Sequence, residues 1–339
     1  MGVAVNAGRR ARSTPAERLD GPLGKLLAPV GWLWCGVARL RARAFQSGVL
    51  TSVRPPLPTL SIGNLAVGGT GKTPLLLASV EALERVGARV GVLARGYGGD
   101  EGRMLRERHP GARLEEGSDR VAGLVRILAG PAVDILLLDD GFQHFRLQRD
   151  EDAVLIDATR PLGRCLPAGL FREGSQALRR ATRIVLSRAD LVDAQERERI
   201  WAQVRRIRAG LPDLPVLEGS VATRDLRNLV SSEIRPASAL RGMRARLAAG
   251  IGNPQSFASL CRAHGVEILN EQWLPDHHAW RPADLSDWER EPAILVTEKD
   301  GVKLRGLAPA NVWEVRVDWQ FLRGGEHWQS MLAKLAGRT

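Results

Sequence analysis

The stretch Gly68-Gly69-Thr70-Gly71-Lys72-Thr73-Pro74 follows a short apolar strand, Thr59-Leu60-Ser61-Ile62, and runs into a helical pattern that continues to about Val86. A strand, a glycine turn and a helix in that order make a phosphate cradle. Glycines let successive backbone N–H groups curl toward phosphate oxygens, and the helix N-terminus adds its dipole. Gly68, Gly69, Thr70, Gly71, Lys72 and Thr73 are therefore expected around nucleotide phosphates. Lys72 would reach the β and γ phosphates, and the Thr73 hydroxyl would ligate magnesium. The strict spacing of such loops places a first glycine at position 66, where this chain has Ala66.

Outward from the loop, the apolar run Ile135-Leu136-Leu137-Leu138 ends at Asp139-Asp140-Gly141. An acid at the end of a buried strand supplies the second half of a magnesium site, and Asp139 is assigned to it. Neighbouring side chains on a strand point apart, so Asp140 is expected to assist the chemistry or orient an acceptor instead. Further apolar strands are read at 90–94, 153–156 and 183–186, with a helix at 194–209. Continuous apolar strands separated by helices predict an α/β fold, a P-loop NTPase-like parallel sheet covered by helices. Residues 211–230 read as a linker. A second, smaller α/β domain follows, with strands near 246–251, 266–269, 293–296 and 312–317 and a last helix at 326–335. The expected organisation is an amino-terminal segment 1–50, a P-loop domain 51–215 and a smaller domain 216–339 that completes a cleft.

The formal charge of +11 is concentrated at the start of the chain. Arg9, Arg10, Arg12, Arg18, Lys25, Arg39, Arg41 and Arg43 face only Glu17 and Asp20 within residues 1–50. Among them lies an apolar stretch from Leu26 to Ala38, interrupted by Pro29 and shorter than the roughly 20 residues that cross a bilayer. An interfacial helix fits both properties, with Trp32 and Trp34 at headgroup depth and the arginines against an anionic membrane surface. No cleavage site follows it, and Asn6 stands where an acylation signal needs Ser or Thr. No nucleic-acid-binding motif accompanies the basic tract, so no nucleic acid is expected as a partner. Cys35, Cys165 and Cys261 are odd in number and lack a CxxC spacing, which argues against a disulfide framework and for a reducing cytoplasm. The pair His277-His278 has no recognised zinc spacing.

The acceptor of a phosphoryl group is narrowed by later segments. Gln143 and His144 bring an amide and an imidazole beside the two aspartates, and the Arg172 guanidinium suits a phosphate on the acceptor. The chain resembles the tetraacyldisaccharide 4'-kinase family, the lipid A kinases of Gram-negative bacteria. The matching pieces are Gly63-Asn64-Leu65 with the lysine loop, Arg95-Gly96-Tyr97-Gly98, Asp139 through His144, and Pro167-Ala168-Gly169 with Arg172-Glu173. Then come Gly252-Asn253-Pro254, Asp276-His277-His278 and Thr297-Glu298-Lys299-Asp300 with Val302-Lys303. The resemblance implies ATP-dependent phosphorylation of the 4'-hydroxyl of a tetraacyldisaccharide 1-phosphate, with ATP and magnesium, by a peripheral enzyme on the cytoplasmic face of the inner membrane. It implies no particular oligomeric state.

The family's base is an aspartate in a Gly-Asp-Glu-Pro segment paired with a histidine of the later domain. By resemblance these become Asp119, within Ser118-Asp119-Arg120-Val121, and His277; Lys72, Asp139 and Asp140 complete the catalytic set, and Asn64, Gln143, His144 and Arg172 are expected at the acceptor. The competing reading is a P-loop NTPase acting on a protein or nucleic-acid partner. Ser187-Arg188-Ala189-Asp190 occupies the place where such proteins read a base, but it is not the Asn-Lys-x-Asp set of guanine-specific proteins.

Overall fold

Apolar runs buried on both faces become the central strands. The computed structural model describes residues 22–96 and 99–338, so Tyr97, Gly98 and the arginines before position 21 lie outside the described residues. The described residues begin with α1 (Pro22–Leu26) and α2 (Ala28–Gln46). Next come β1 (Thr59–Asn64), α3 (Lys72–Arg85), β2 (Val90–Ala94), α4 (Asp100–Arg108), β3 (Arg113–Glu116), α5 (Arg120–Ala129) and β4 (Ile135–Asp139). β5 (Glu151–Asp157), β6 (Arg183–Ser187) and α6 (Ala194–Ile207) follow. The later part holds β7 (Leu217–Asn228), β8 (Ile234–Pro236), β9 (Arg244–Ala249), α7 (Pro254–Ala263), β10 (Glu267–Trp273), β11 (Ile294–Thr297), α8 (Glu298–Leu304), β12 (Val312–Arg323) and α9 (Gly325–Leu335).

All twelve strands belong to one sheet in the order β10-β9-β11-β12-β7-β6-β5-β1-β4-β2-β3, with β8 on β7. The pairs are parallel except where β7 meets β12 and β8. β1 sits between β4 and β5, and the crevice beyond the strand ends at this point is where open α/β sheets bind ligands. Residues 217–228, expected within a linker, instead form a twelve-residue strand. Its Leu217 and Glu218 pair with β6, and the rest pairs along β12. The linker reading failed because this strand is half-buried and rich in charge, with Arg224, Asp225 and Arg227 among its residues, so its apolar alternation is faint.

Apolar cores flank the P-loop half on both faces. Leu60, Ile62, Leu75, Val80 and Leu83 form one with Trp328 and Leu332 of α9, and Phe142, Val154, Ile156, Leu178 and Trp201 form another. α2 packs on this half as a nineteen-residue helix. Pro29 does not interrupt it but lies in its first turn, where a missing N–H is harmless. The inward side presents Gly31, whose added Cβ would lie 2.9 Å from Ala168 Cβ, and Ala42, which is buried. Trp34 Nε1 donates to the Arg172 carbonyl at 2.9 Å. Cys35 is bonded to Cys165, so the expectation of no disulfide is corrected to one bridge, while Cys261 is free and buried. The two cysteines are 130 residues apart, and only the docking of α2 brings them together. Trp32, Leu33 and Leu40 point outward at 75%, 69% and 69% exposure. Among the described residues no helix is long and apolar enough to cross a membrane.

Candidate active site

The glycine loop leaves the end of β1 and closes onto α3. Gly68 and Gly71 have φ of 110° and 87°, a region that costs a residue with a Cβ, and Gly71 N-caps α3. A Cβ at Gly71 would also stand 3.2 Å from the ring of Trp319 on β12. The loop is braced from several sides. Asn64 Nδ2 donates to Thr70 Oγ1 at 2.7 Å, Arg188 Nη2 donates to the Gly69 carbonyl at 2.7 Å, and Val67 N donates to Leu170 O at 2.8 Å. Arg188 also pairs with Asp157, so this arginine supports the loop backbone.

At the end of β4 the two aspartates diverge. Asp140 takes a left-handed φ of 50° and its carboxylate meets Arg172 Nη1 at 2.7 Å and Lys72 Nζ at 3.7 Å. Burial alone would raise its pKa, but Lys72 and Arg172 outweigh burial and hold it below the ordinary carboxylate range. Asp139 is more enclosed. Burial, and then the negative charge of Glu101, push its carboxyl up to about 7 against the pull of Lys72. Its Oδ1 has no hydrogen-bond partner. A buried, unpartnered carboxylate oxygen fits a divalent cation, and Thr73 at the start of α3 adds a hydroxyl. Among the described residues no group of three His, Cys, Asp or Glu side chains could hold a metal.

The acceptor-side residues are partly gathered. Gln143 Nε2 donates to the Asn64 carbonyl at 2.9 Å, and Arg172 Nη1 approaches Gln143 Oε1 at 3.4 Å. Asn64, Gln143, Asp140 and Arg172 thus form one connected wall. His144 stands apart from that chain of bonds; burial and the charges of Arg120 and Arg149 drive its pKa down to about 4.

The pairing of Asp119 with His277 is not formed. Asp119 is the N-cap of α5, where its Oδ1 accepts from Val121 N at 2.9 Å and Ala122 N at 3.2 Å. Its other oxygen faces Arg146 at 3.6 Å. The backbone donors, Ala122 foremost, hold its pKa below the ordinary range. An aspartate before Arg120-Val121-Ala122 is a strong N-cap, and the cap fixes it there.

His277, at φ 61°, instead places Nδ1 3.1 Å from Asp100 Oδ2. Asp100 opens α4 and its side chain is wholly buried. Lys299 Nζ lies 3.7 Å from Asp100, 3.6 Å from Glu101 and 3.4 Å from Asp276, while Lys303 Nζ lies 3.5 Å from Asp100. Thr73 Oγ1 donates to Glu101 Oε1 at 3.3 Å, which sets this charged cluster against the first turn of α3. His278 pairs with Asp284 at 3.0 Å, away from Asp100. Asp100, Glu101, Lys299 and Lys303 are therefore the residues that sequence reading missed in this role. The signal was present: Gly99-Asp100-Glu101 carries the Gly-Asp-Glu order of the family segment, with Gly102 in place of proline.

A family model described as LpxK, tetraacyldisaccharide-1-P 4'-kinase, matches residues 23–99 and 98–336. A tetraacyldisaccharide 4'-kinase of Anaeromyxobacter sp. (strain Fw109-5) is 34% identical over 360 residues, covering 96% of this chain and 94% of its own. A tetraacyldisaccharide 4'-kinase of Pseudomonas aeruginosa (strain LESB58) is 37% identical over 323 residues, covering 88% and 89%. The crystal structure of LpxK from Aquifex aeolicus in complex with ATP superposes with a TM-score of 0.73 at 26% identity, covering 92% of this chain and 99% of that one.

Proposed function

This chain belongs to the tetraacyldisaccharide 4'-kinase family, and from that membership we infer that it transfers the γ-phosphate of ATP to the 4'-hydroxyl of a tetraacyldisaccharide 1-phosphate in lipid A biosynthesis. The observation that carries the residue-level reading is the meeting of α3 and α4. Thr73 touches Glu101, and the neighbouring Asp100 holds His277 at 3.1 Å. A phosphate-binding lysine and a buried carboxylate–imidazole pair are thereby brought to one place.

In this reading the 4'-hydroxyl oxygen attacks the γ-phosphorus and forms the new P–O bond as the bond to the ADP oxygen breaks. Asp100 accepts the hydroxyl proton late, because the transition state is loose. His277 donates from Nδ1 to Asp100, fixing the carboxylate's orientation, and Lys299 and Lys303 balance its charge. Lys72 and the backbone N–H groups of 68–73 bear the growing negative charge on the phosphates. Thr73 and Asp139 would hold magnesium, which supplies charge neutralisation at the β and γ phosphates. Asp140, fixed by Arg172, keeps Lys72 beside the loop. Asn64, Gln143 and Arg172 line the acceptor side, and the acceptor would lie between the parts 51–215 and 216–339. Asp119 acts through the cap of α5.

The exposed apolar side of α2 supports peripheral binding to an anionic membrane, with the cytoplasmic face the one that offers ATP. The acyl chains then stay in the lipid while the disaccharide reaches the loop. No observation favours a protein or nucleic-acid acceptor. Purified protein mixed with labelled ATP, magnesium and detergent-dispersed tetraacyldisaccharide 1-phosphate should label the lipid. Brisk ATP turnover with no labelled lipid would overturn the reading.

A further inference from the structure

The segment 172–174 has two sides. Arg172 turns toward Asp140, whereas Glu173 and Gly174 border a separate cavity of about 520 Å3 between α2 and the stretch that follows. Its walls are strongly basic. Arg39 and Arg43, one turn apart on α2, are joined by Gln46, and the opposite wall supplies Gln176, Arg179 and Arg180. Glu173, the only acid lining it among the described residues, is already matched: Arg180 grips it with two contacts at 2.9 and 3.0 Å and lies over the Phe142 ring at 4.5 Å. Arg179 Nη1 is anchored on the carbonyls of Ile207 and Ala209 at 2.8 and 3.0 Å, which leaves its other nitrogens available. Arg39 and Arg43 have no ion-pair partner among the described residues. Three guanidinium groups therefore face one cavity with no uncommitted carboxylate, an arrangement that attracts an anion.

The position of the cavity specifies which anion. It runs along the flank of α2, whose outer side exposes Leu33, Val37 and Leu40 at 69%, 57% and 69%. An anion that reaches it beside such a surface comes attached to acyl chains. Several guanidinium forks match the oxygens of a phosphate ester. We propose that this cavity is a second phosphate site, separate from the glycine loop, which takes the phosphate of a lipid headgroup. The proposal rests on the reading of the protein as a kinase at a lipid surface. The phosphate can come from the acceptor's own 1-position or from an anionic phospholipid.

The test compares Arg39→Glu/Arg43→Glu with a control of equal charge change on the same amino-terminal helices but outside the cavity lining, Lys25→Glu/Arg41→Glu. If the acceptor's phosphate fills the cavity, the cavity variant raises KM for tetraacyldisaccharide 1-phosphate in neutral detergent micelles about ten-fold. Its KM for ATP stays at the control value. If a phospholipid fills it, KM in neutral micelles is unchanged. Sedimentation with vesicles of phosphatidylglycerol in phosphatidylcholine then shows affinity about ten-fold below the control variant. Either result supports the site and identifies the source of its phosphate. Equal behaviour of the two double variants in both assays overturns it. The vesicle measurement needs no catalysis, so it stays readable even if the wild type fails to label the lipid.

Discussion

Asp100 Oδ2 lies 3.1 Å from His277 Nδ1, 3.7 Å from Lys299 Nζ and 3.5 Å from Lys303 Nζ, with its own side chain shut away from water. Such a carboxylate is ordered before any acceptor arrives. Asp100→Asn keeps the shape and removes the proton acceptor, so kcat should fall about 10²–10⁴-fold while KM for ATP moves little. Asp119→Asn is the informative companion. Asparagine is also a good N-cap, so this variant should retain near-normal turnover, and Asp119→Ala should lower the urea unfolding midpoint. A large loss of kcat in Asp119→Asn with normal turnover in Asp100→Asn would reverse the assignment. His144 gives a pH signature. Its folded pKa, about 4, is below the unfolded value of 6.5. Between those values the unfolded chain takes up a proton that the folded chain refuses, so stability is full above pH 6.5 and falls as pH drops toward 4. Urea unfolding at pH 7 and pH 5 should show His144→Gln losing less stability than the wild type, by on the order of 1–2 kcal/mol.

At the scale of elements, α2 joins a packed face to an exposed one. Gly31, Cys35 and Ala42 hold it to the protein, and Leu33, Val37 and Leu40 do not touch the core. Leu33→Asn/Leu40→Asn should leave the unfolding midpoint near that of the wild type but weaken binding to anionic vesicles by about a hundred-fold or more, since two buried leucines together contribute about 3–6 kcal/mol. Unchanged vesicle binding would rule out α2 as the membrane face. Elements whose signal is local were readable from the sequence. The glycine loop, β4 with its terminal acids and the apolar strands needed only periodicity and turn chemistry. β7 was not, because its role is defined by a partner strand about 90 residues away. The site divides in the same way. Lys72, Thr73, Asp139 and Asp140 follow from strand and helix ends, whereas Asp100–His277 spans 177 positions and only the assembled sheet brings the two residues together. Asp119 misled because an aspartate opening a helix looks alike whether it caps or catalyses.

Over the whole molecule, the later half repeatedly reaches back into the nucleotide-binding half. Trp319 of β12 lies beneath Gly71, and Trp328 of α9 donates to Ser79 Oγ of α3 at 3.2 Å. The strongest link joins α4 to α8 and β12. Arg108 Nε donates to Glu298 Oε1 at 2.6 Å, and its Nη1 donates to Asp318 at 2.7 Å, with Glu298 nearly inaccessible. This pair fixes the far end of the helix that begins at Asp100 to the helix that carries Lys299 and Lys303. Arg108→Met should therefore act twice. It leaves the Glu298 charge buried without its partner, a loss of about 3–5 kcal/mol in urea unfolding. It also loosens α4 against α8, so kcat should fall further than affinity for ATP. Replacing both residues, Arg108→Met/Glu298→Leu, removes the stranded charge and should recover most of the stability. If turnover recovers with it, the pair contributes to the fold alone. If turnover stays low in a stable protein, the contact between halves is what holds Asp100 in register with the loop.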